Sequence, residues 1–180
     1  YKQRASDGEI RLFFLDEVKL SMLATLTRMW VKTGTQEQIQ TDDNHDKCYG
    51  YTAIDFVTCK PHYRIAADFN SKEFKTFIDQ LKGQYPNETL VIVMDNATPH
   101  GYIKQRGEVK VDSGLYFYFI PAYTALELNP VEKVFRLLRA KVTHNQYFAT
   151  ISDLIEAARN FFRYLYVCRN RVASLIYGEV

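Results

Sequence analysis

The run "TLVIVMD" (residues 89 to 95) constrains the fold more than any other stretch of this chain. Its apolar residues are continuous rather than alternating, which is the pattern of a strand covered on both faces in a sheet with helices on each side. The run ends on Asp95. A carboxylate where a buried strand stops is costly to desolvate unless it is paired, hydrogen-bonded or bound to a cation. Asp95 therefore needs a partner from elsewhere in the chain.

The flanking patterns supply the other layers. "EIRLFFLDEV" (9 to 18) is strand-like, with Asp7 and Gly8 marking a turn before it and Asp16 near its end. The β-branched and aromatic clusters in "MWVKTGTQEQIQT", "KCYGYTAIDFVTC" and "HYRIAADF", punctuated by Gly34, the polar run 41 to 46, Gly50 and Pro61, predict an antiparallel meander. "SKEFKTFIDQLKGQY" spaces Phe74, Phe77, Ile78 and Leu81 as one helical face, with Ser71 as the expected N-cap and Gly83 near the end. Residues 99 to 112 read as a poor helix, and "LYFYFIP" (115 to 121) as a further strand. Asn129 followed by Pro130 opens a helix with Val131, Val134, Phe135, Leu138 and Val142 facing inward. Thr150 with Asp153 forms a capping-box pattern before a second helix carrying Leu154, Ile155, Ala158, Phe162 and Leu165. The sum is an α/β layered domain with a mixed sheet and no internal repeat or interdomain linker.

At 180 residues and 47% hydrophobic, the chain suits one well-buried domain. The longest apolar runs, 115 to 120 and 161 to 168, fall well short of the roughly 20 residues that span a bilayer, so a soluble protein is expected. The chain opens on Tyr1 without a leader, which suggests a piece of a longer protein. Cys48, Cys59 and Cys168 form no CxxC pair and read as plain thiols of a reducing compartment. The formal net charge is +2 but uneven: residues 131 to 180 hold 8 Lys and Arg against 4 Asp and Glu, while residues 1 to 130 hold 15 against 17. A polyanionic partner is permitted by that asymmetry, not demanded.

Three carboxylates fall where strands or helices meet loops: Asp16, Asp95 and, in the first turn of the helix after Pro130, Glu132. If the first and central strands are neighbours, Asp16 and Asp95 lie close and Glu132 can close over them. Like charges so placed call for a cation, and a hard ion such as Mg²⁺ takes oxygen ligands. Two such ions would stabilise both the attacking and leaving oxygens of a phosphoryl displacement. Plainer roles remain open for each residue. Glu132 fits a capping box with Asn129 or an i,i+4 pair with Arg136, Asp95 a turn, and Asp16, beside Glu17, an edge-strand charge. His100 fits an ordinary loop residue, and Arg136, Arg139 and Lys141 fit either phosphate contacts or a solvated helix face. Trp30 is expected in the core or on the sheet surface.

With their flanks, the three acids resemble a known family. "FLDEVKL", "VIVMDNATPHG" and "YFIPAYTALELNPVEKVFRLLRAKV" are similar, in order, to the three catalytic blocks of DDE transposases of the insertion-sequence 630 and Tc1/mariner superfamily. The likeness extends over nearly the whole chain, through Trp30, "CYGYTAIDF" and the helix before "VIVMD". It implies a ribonuclease H-like fold with a mixed five-stranded sheet flanked by helices. It also implies a metal-binding catalytic triad of Asp16, Asp95 and Glu132, holding Mg²⁺, or Mn²⁺ as a substitute, as two ions. Asn96 and His100 match positions of the second block and become candidate substrate contacts, as do Arg136, Arg139 and Lys141. DNA is the implied partner, as transposon ends and target, with a homodimer as the working assembly and a nucleoid or nuclear location.

Two departures stand out. "YTALELNP" lacks the family's usual proline and carries one extra residue, so that 36 residues separate Asp95 from Glu132, and Phe135 stands where Trp is common. The family's helix-turn-helix region, which reads terminal repeats, is not expected within residues 1 to 180. The function implied is metal-dependent hydrolysis of phosphodiesters at transposon ends and joining of the freed 3′-hydroxyl to target DNA. The alternatives are a nuclease of the same fold without strand transfer and a non-catalytic, transposase-derived DNA-binding protein. Nucleotide-binding enzymes are disfavoured because neither GxxxxGK[ST] nor GxGxxG occurs, and a haloacid-type phosphatase wants DxD where this chain has "LDEV".

Overall fold

The computed structural model describes residues 1–95, 107–121 and 129–178. Its centre is the strand foreseen from "TLVIVMD": β4, Leu90–Met94, is buried at every position and pairs in parallel with a strand on each side. In chain order, helix α1 (Lys2–Ser6) leads into β1 (Arg11–Ser21), followed by β2 (Lys47–Asp55) and β3 (Pro61–Ala66). Helix α2 (Ser71–Gln84), β4, β5 (Gly107–Asp112) and β6 (Leu115–Phe119) come next. Helix α3 (Val131–Leu138) passes into a π-helical turn (Arg139–Thr143), and α4 (Ile151–Val167) and α5 (Arg169–Tyr177) complete the order.

The strands form one sheet in the order β3-β2-β1-β4-β6-β5, with antiparallel pairs at both edges and parallel pairs at the centre. Alternation divides β1 between two cores. Phe13 and Leu15 join Leu90, Ile92 and Met94 beneath α2, through Phe74, Phe77, Ile78 and Leu81. Leu12, Phe14, Val18 and Leu20 join Val91 and Val93 on the opposite face, which α3, α4 and α5 cover. Each of the buried α3 side chains Val131, Val134, Phe135 and Leu138 contributes about 1.5–3 kcal/mol by burial. An eight-residue helix gains little from its own hydrogen bonds, so this packing is what fixes it in place.

Several expectations require correction. The sheet has six strands among the described residues, not five, because residues 107–112 form β5 rather than part of a helix. The β5 strand pairs with β6 through a turn at Gly114, whose φ of 72° is the left-handed conformation that favours glycine. The meander excludes the segment around "MWVKTGTQEQIQT": residues 22–46 make no strand beyond an isolated bridge of Thr25 with His144. That segment's polar residues leave no continuous face to bury, and Trp30 is fully exposed at 102% rather than in the core or on the sheet. The N-cap of α2 is Asn70, whose side chain accepts from the Glu73 N–H, and not Ser71. The capping box of Thr150 and Asp153 forms as the sequence implies. Among the described residues no helix is long and apolar enough to cross a membrane.

Candidate active site

The register of the two central strands brings the first two acids together. Arg11 pairs with Leu90 and Phe14 with Val93, and the same offset carried two residues further sets Asp16 level with Asp95. By alternation, both point to the face that carries Leu12, Phe14, Val91 and Val93. There β4 ends at Met94 while β1 runs on to Ser21, so the acids stand where the sheet loses a strand on one side of β1. Strand ends of this kind are where sites collect in sheets with parallel strands.

Glu132 arrives from above the same face. Helix α3 packs on it through Val131, Val134, Phe135 and Leu138, and Glu132 lies in its first turn. Asn129 fixes that turn with a contact the sequence does not disclose. Its buried side-chain amide donates to the Leu15 carbonyl at 2.8 Å, and its Oδ1 accepts from the Val131 N–H at 3.2 Å. One residue thus ties the start of α3 to the backbone next to Asp16. The N-cap of α3 is Pro130 rather than Asn129, and the helix starts at Val131, one residue later than the sequence suggests; Asn129 acts from just outside it, with a donor that a cap reading leaves unplaced. Among the described residues Glu132 makes neither a capping-box bond nor an ion pair with Arg136, and its charge acts on Asp16.

Burial pushes the Asp16 carboxyl up to about 8, with repulsion from Glu17, Glu132 and Asp95 adding to it, while a hydrogen bond from the Glu17 N–H to Oδ1 at 2.8 Å opposes the shift. Asp16, Asp95 and Glu132 therefore share one electrostatic environment. Among the described residues no three Asp, Glu, His or Cys side chains close on a common point for an ion. The donor set nonetheless fits a hard divalent cation: it is all carboxylate oxygen, and its mutual repulsion is what such a cation would offset.

The remaining candidates fall in two groups. Asn96 and His100 lie outside the described residues. Arg136 and Arg139 follow Glu132 at four and seven positions, so exposed guanidinium groups continue along the helix side that begins with the acid. Lys141, on the π-helical turn, is exposed and also lines a cavity of about 580 Å³ with Leu137, Phe161, Tyr164 and Arg171. Arg136, Arg139 and Lys141 make no ion pair among the described residues. Phe135, the departure from the usual Trp, is buried in the core beneath the acids.

Asn129→Ala should cost about 1–3 kcal/mol, because the Leu15 carbonyl loses a buried donor and the first turn of α3 its anchor. A urea unfolding midpoint measures that loss.

The mixed sheet flanked by helices has the ribonuclease H-like fold, and it brings Asp16 and Asp95 to the face that the helix carrying Glu132 covers. The chain belongs to the DDE superfamily endonucleases, whose family model matches residues 11–155. Among solved structures, the chain is similar to a Mos1 transposase paired-end complex with the left transposon end, at 13% identity and a TM-score of 0.59, covering 98% of this chain and 58% of that one. It is similar also to the mariner Mos1 paired-end complex with Mg, at 12% identity and a TM-score of 0.61 over 93% of this chain and 53% of that one. The Mos1 strand transfer complex matches at 12% identity and a TM-score of 0.56, over 99% and 58%. The chain thus spans somewhat over half the length of these relatives, 58% in the first. No curated protein matches the chain at a significant level.

Proposed function

We propose that residues 1–180 are the catalytic domain of a DNA transposase of the Tc1/mariner type, with Asp16, Asp95 and Glu132 as its metal-binding catalytic acids. The observation that carries this reading is the register that sets Asp16 level with Asp95, beneath a helix start that Asn129 ties to β1. Family membership and the Mos1 likeness support it, and the Mos1 complexes are with a transposon end, with Mg and after strand transfer.

A divalent cation, Mg²⁺ or Mn²⁺, held between these carboxylates would neutralise charge on the phosphate and polarise it as a Lewis acid. The chain's own residues do the rest. Asp16 and Asp95 fix the site to the rigid centre of the sheet, while Glu132 closes it from α3. Arg136 and Arg139 offer their charge to flanking phosphates, and Asn96 and His100 are assigned to the substrate side. In the first step water attacks a phosphodiester, an O–P bond forms, and the P–O3′ bond breaks to leave a 3′-hydroxyl. In the second, that hydroxyl attacks a target phosphodiester and displaces its 3′-oxygen, so no protein nucleophile is required. Recognition of specific terminal sequences is not assigned to residues 1–180, and a homodimer acting on paired ends is the working assembly.

The test is a strand-transfer assay with the full-length protein, a duplex ending in the inverted repeats that flank its coding sequence, and a supercoiled target. Joined products that require Mg²⁺ or Mn²⁺ support the transposase. Cleavage without joining identifies a nuclease of the same fold, and neither activity identifies a DNA-binding derivative.

The basic residues make a separate prediction. Replacing Arg136, Arg139 and Lys141 by Ala should weaken DNA binding similarly for all sequences. It should also reduce the slope of log K against log salt by about 1 for each phosphate that is no longer neutralised, measured by fluorescence anisotropy at several salt concentrations.

A further inference from the structure

Across β1 from Asp95 stands a residue that the triad does not include. In the antiparallel register Asp16 pairs with Thr52 of β2, and the parallel offset of β1 and β4, continued past the end of β4, brings Asp95 to the other side of Asp16. Alternation along β2 gives the face of Thr52: Cys48 and Ile54 belong to the core beneath α3 and α4, whereas Tyr51 and Ala53 belong to the other. Thr52 is 0% exposed, and its Oγ1 is the buried side-chain polar atom with no hydrogen-bond partner among the described residues. A hydroxyl enclosed in this way is costly unless it has a task, since valine would fill the same space and suits a strand as well.

The surroundings say what that task is. On its own face, Thr52 is flanked along β2 by Gly50 and Ile54 and across the sheet by Asp16 on one side and Tyr63 on the other. Tyr63 turns its ring to stack on Phe162, with centroids 4.5 Å apart. Directly opposed residues on a sheet have Cβ atoms about 4.5–5.5 Å apart, so a change of the Thr52 χ1 rotamer brings its hydroxyl to the Asp16 carboxylate, a bond not made in the fold as it stands. Asp16 is already held at Oδ1 by the Glu17 N–H.

We propose that Thr52 is a positioning residue: when a cation is held between Asp16 and Asp95, the Thr52 hydroxyl turns to donate to the β2-facing side of the Asp16 carboxylate and fixes the opposite side toward the ion. The proposal rests on the metal-site reading above. Partners that orient a metal-binding carboxylate typically change affinity by about 10-fold to 100-fold when removed, although they never touch the ion.

The test is a Mn²⁺ titration of the full-length protein followed by electron paramagnetic resonance, on wild type, Thr52→Val, Thr52→Ser, Thr52→Ala and Asp16→Asn. Thermal midpoints without metal are read on the same samples. The expected result is about tenfold weaker Mn²⁺ binding by Thr52→Val and Thr52→Ala. Thr52→Ser, which keeps the hydroxyl, should bind within about twofold of wild type, and the midpoint of Thr52→Val should be no lower than that of wild type. If Asp16→Asn loses binding while Thr52→Val binds as wild type does, the proposal is overturned and the metal site stands. A fall in the midpoint of Thr52→Val that Thr52→Ser does not repair would assign Thr52 a packing role and overturn it too. If Asp16→Asn itself binds as wild type does, the metal-site reading fails and the proposal with it.

Discussion

Glu132→Gln, Asp95→Asn and Asp16→Asn should each lower DNA cleavage by on the order of 10³-fold or more, while the fold survives all three changes. Each swap keeps the shape of the side chain and removes the negative charge that a divalent cation requires. Glu132 gives the clearest case, because among the described residues its carboxylate takes part in no hydrogen bond or ion pair that the amide would lose. The unfolding midpoint of Glu132→Gln should therefore stay near that of wild type. Asp16→Asn should go further and stabilise the metal-free protein above neutral pH, since it removes a buried charge repelled by Glu17, Glu132 and Asp95. Lost activity with unchanged or raised stability is the signature of residues kept for chemistry, whereas structural charges lose both together. Cleavage kinetics beside thermal melts of the same samples separate the two. A variant that cleaves within tenfold of wild type would remove its acid from the triad.

What the sequence discloses and what it conceals divide along a physical line. A continuous apolar run marks β4 as central, and 3.6-residue spacing marks the buried faces of α2, α3 and α4, because burial acts on a chain one element at a time. Pairing between distant strands leaves no such trace. Nothing local says that residues 79 positions apart stand level on β1 and β4, and without that offset Asp16 and Asp95 are two unrelated strand-end acids. The motif resemblance supplies what periodicity does not, by ordering the three acids. The β5 strand escapes a reading of the sequence because "GEVKVD" is short, half-polar and on the sheet edge, where neither face forces an alternating pattern. Trp30 is misplaced when burial is inferred from residue type alone, in a segment that offers no second apolar face. Asn129 is only half legible, for its second bond reaches across 114 residues to Leu15. Thr52 gives no signal at all in the sequence: only the sheet register and its enclosure single it out.

The metal-free protein should lose stability as pH rises from about 6.5 to about 8, with a slope set by one proton, and a saturating divalent cation should abolish that loss. Two buried groups of opposite sign determine the profile. The Asp16 carboxyl is raised from its ordinary 3.8 to about 8, mainly by burial. Between those values the folded protein holds a proton that the unfolded chain has released, so stability falls as pH rises through that window. His62 is lowered from 6.5 to about 4, first by burial and then by the charge of Lys60, in a pocket where it shares a hydrogen bond of 3.1 Å with the Tyr85 hydroxyl. Between about 4 and 6.5 the unfolded chain holds the extra proton instead, so His62 contributes stability above that window that is lost as pH falls through it. The two slopes cancel between about 4 and 6.5, and Asp16 acts alone from there to about 8, for a loss of about 2 kcal/mol at one proton per molecule. Urea midpoints taken at half-unit pH steps test this with two variants. Removing the titrating ring with His62→Gln should extend the decline down to about pH 4, and Asp16→Asn should leave only the rise between about 4 and 6.5. Because a divalent cation binds the charged carboxylate, Mn²⁺ should flatten the upper decline in wild type and leave the Asp16→Asn profile unmoved. A decline that persists in Asp16→Asn would place the titrating group elsewhere and separate the pH response from the site between β1, β4 and α3.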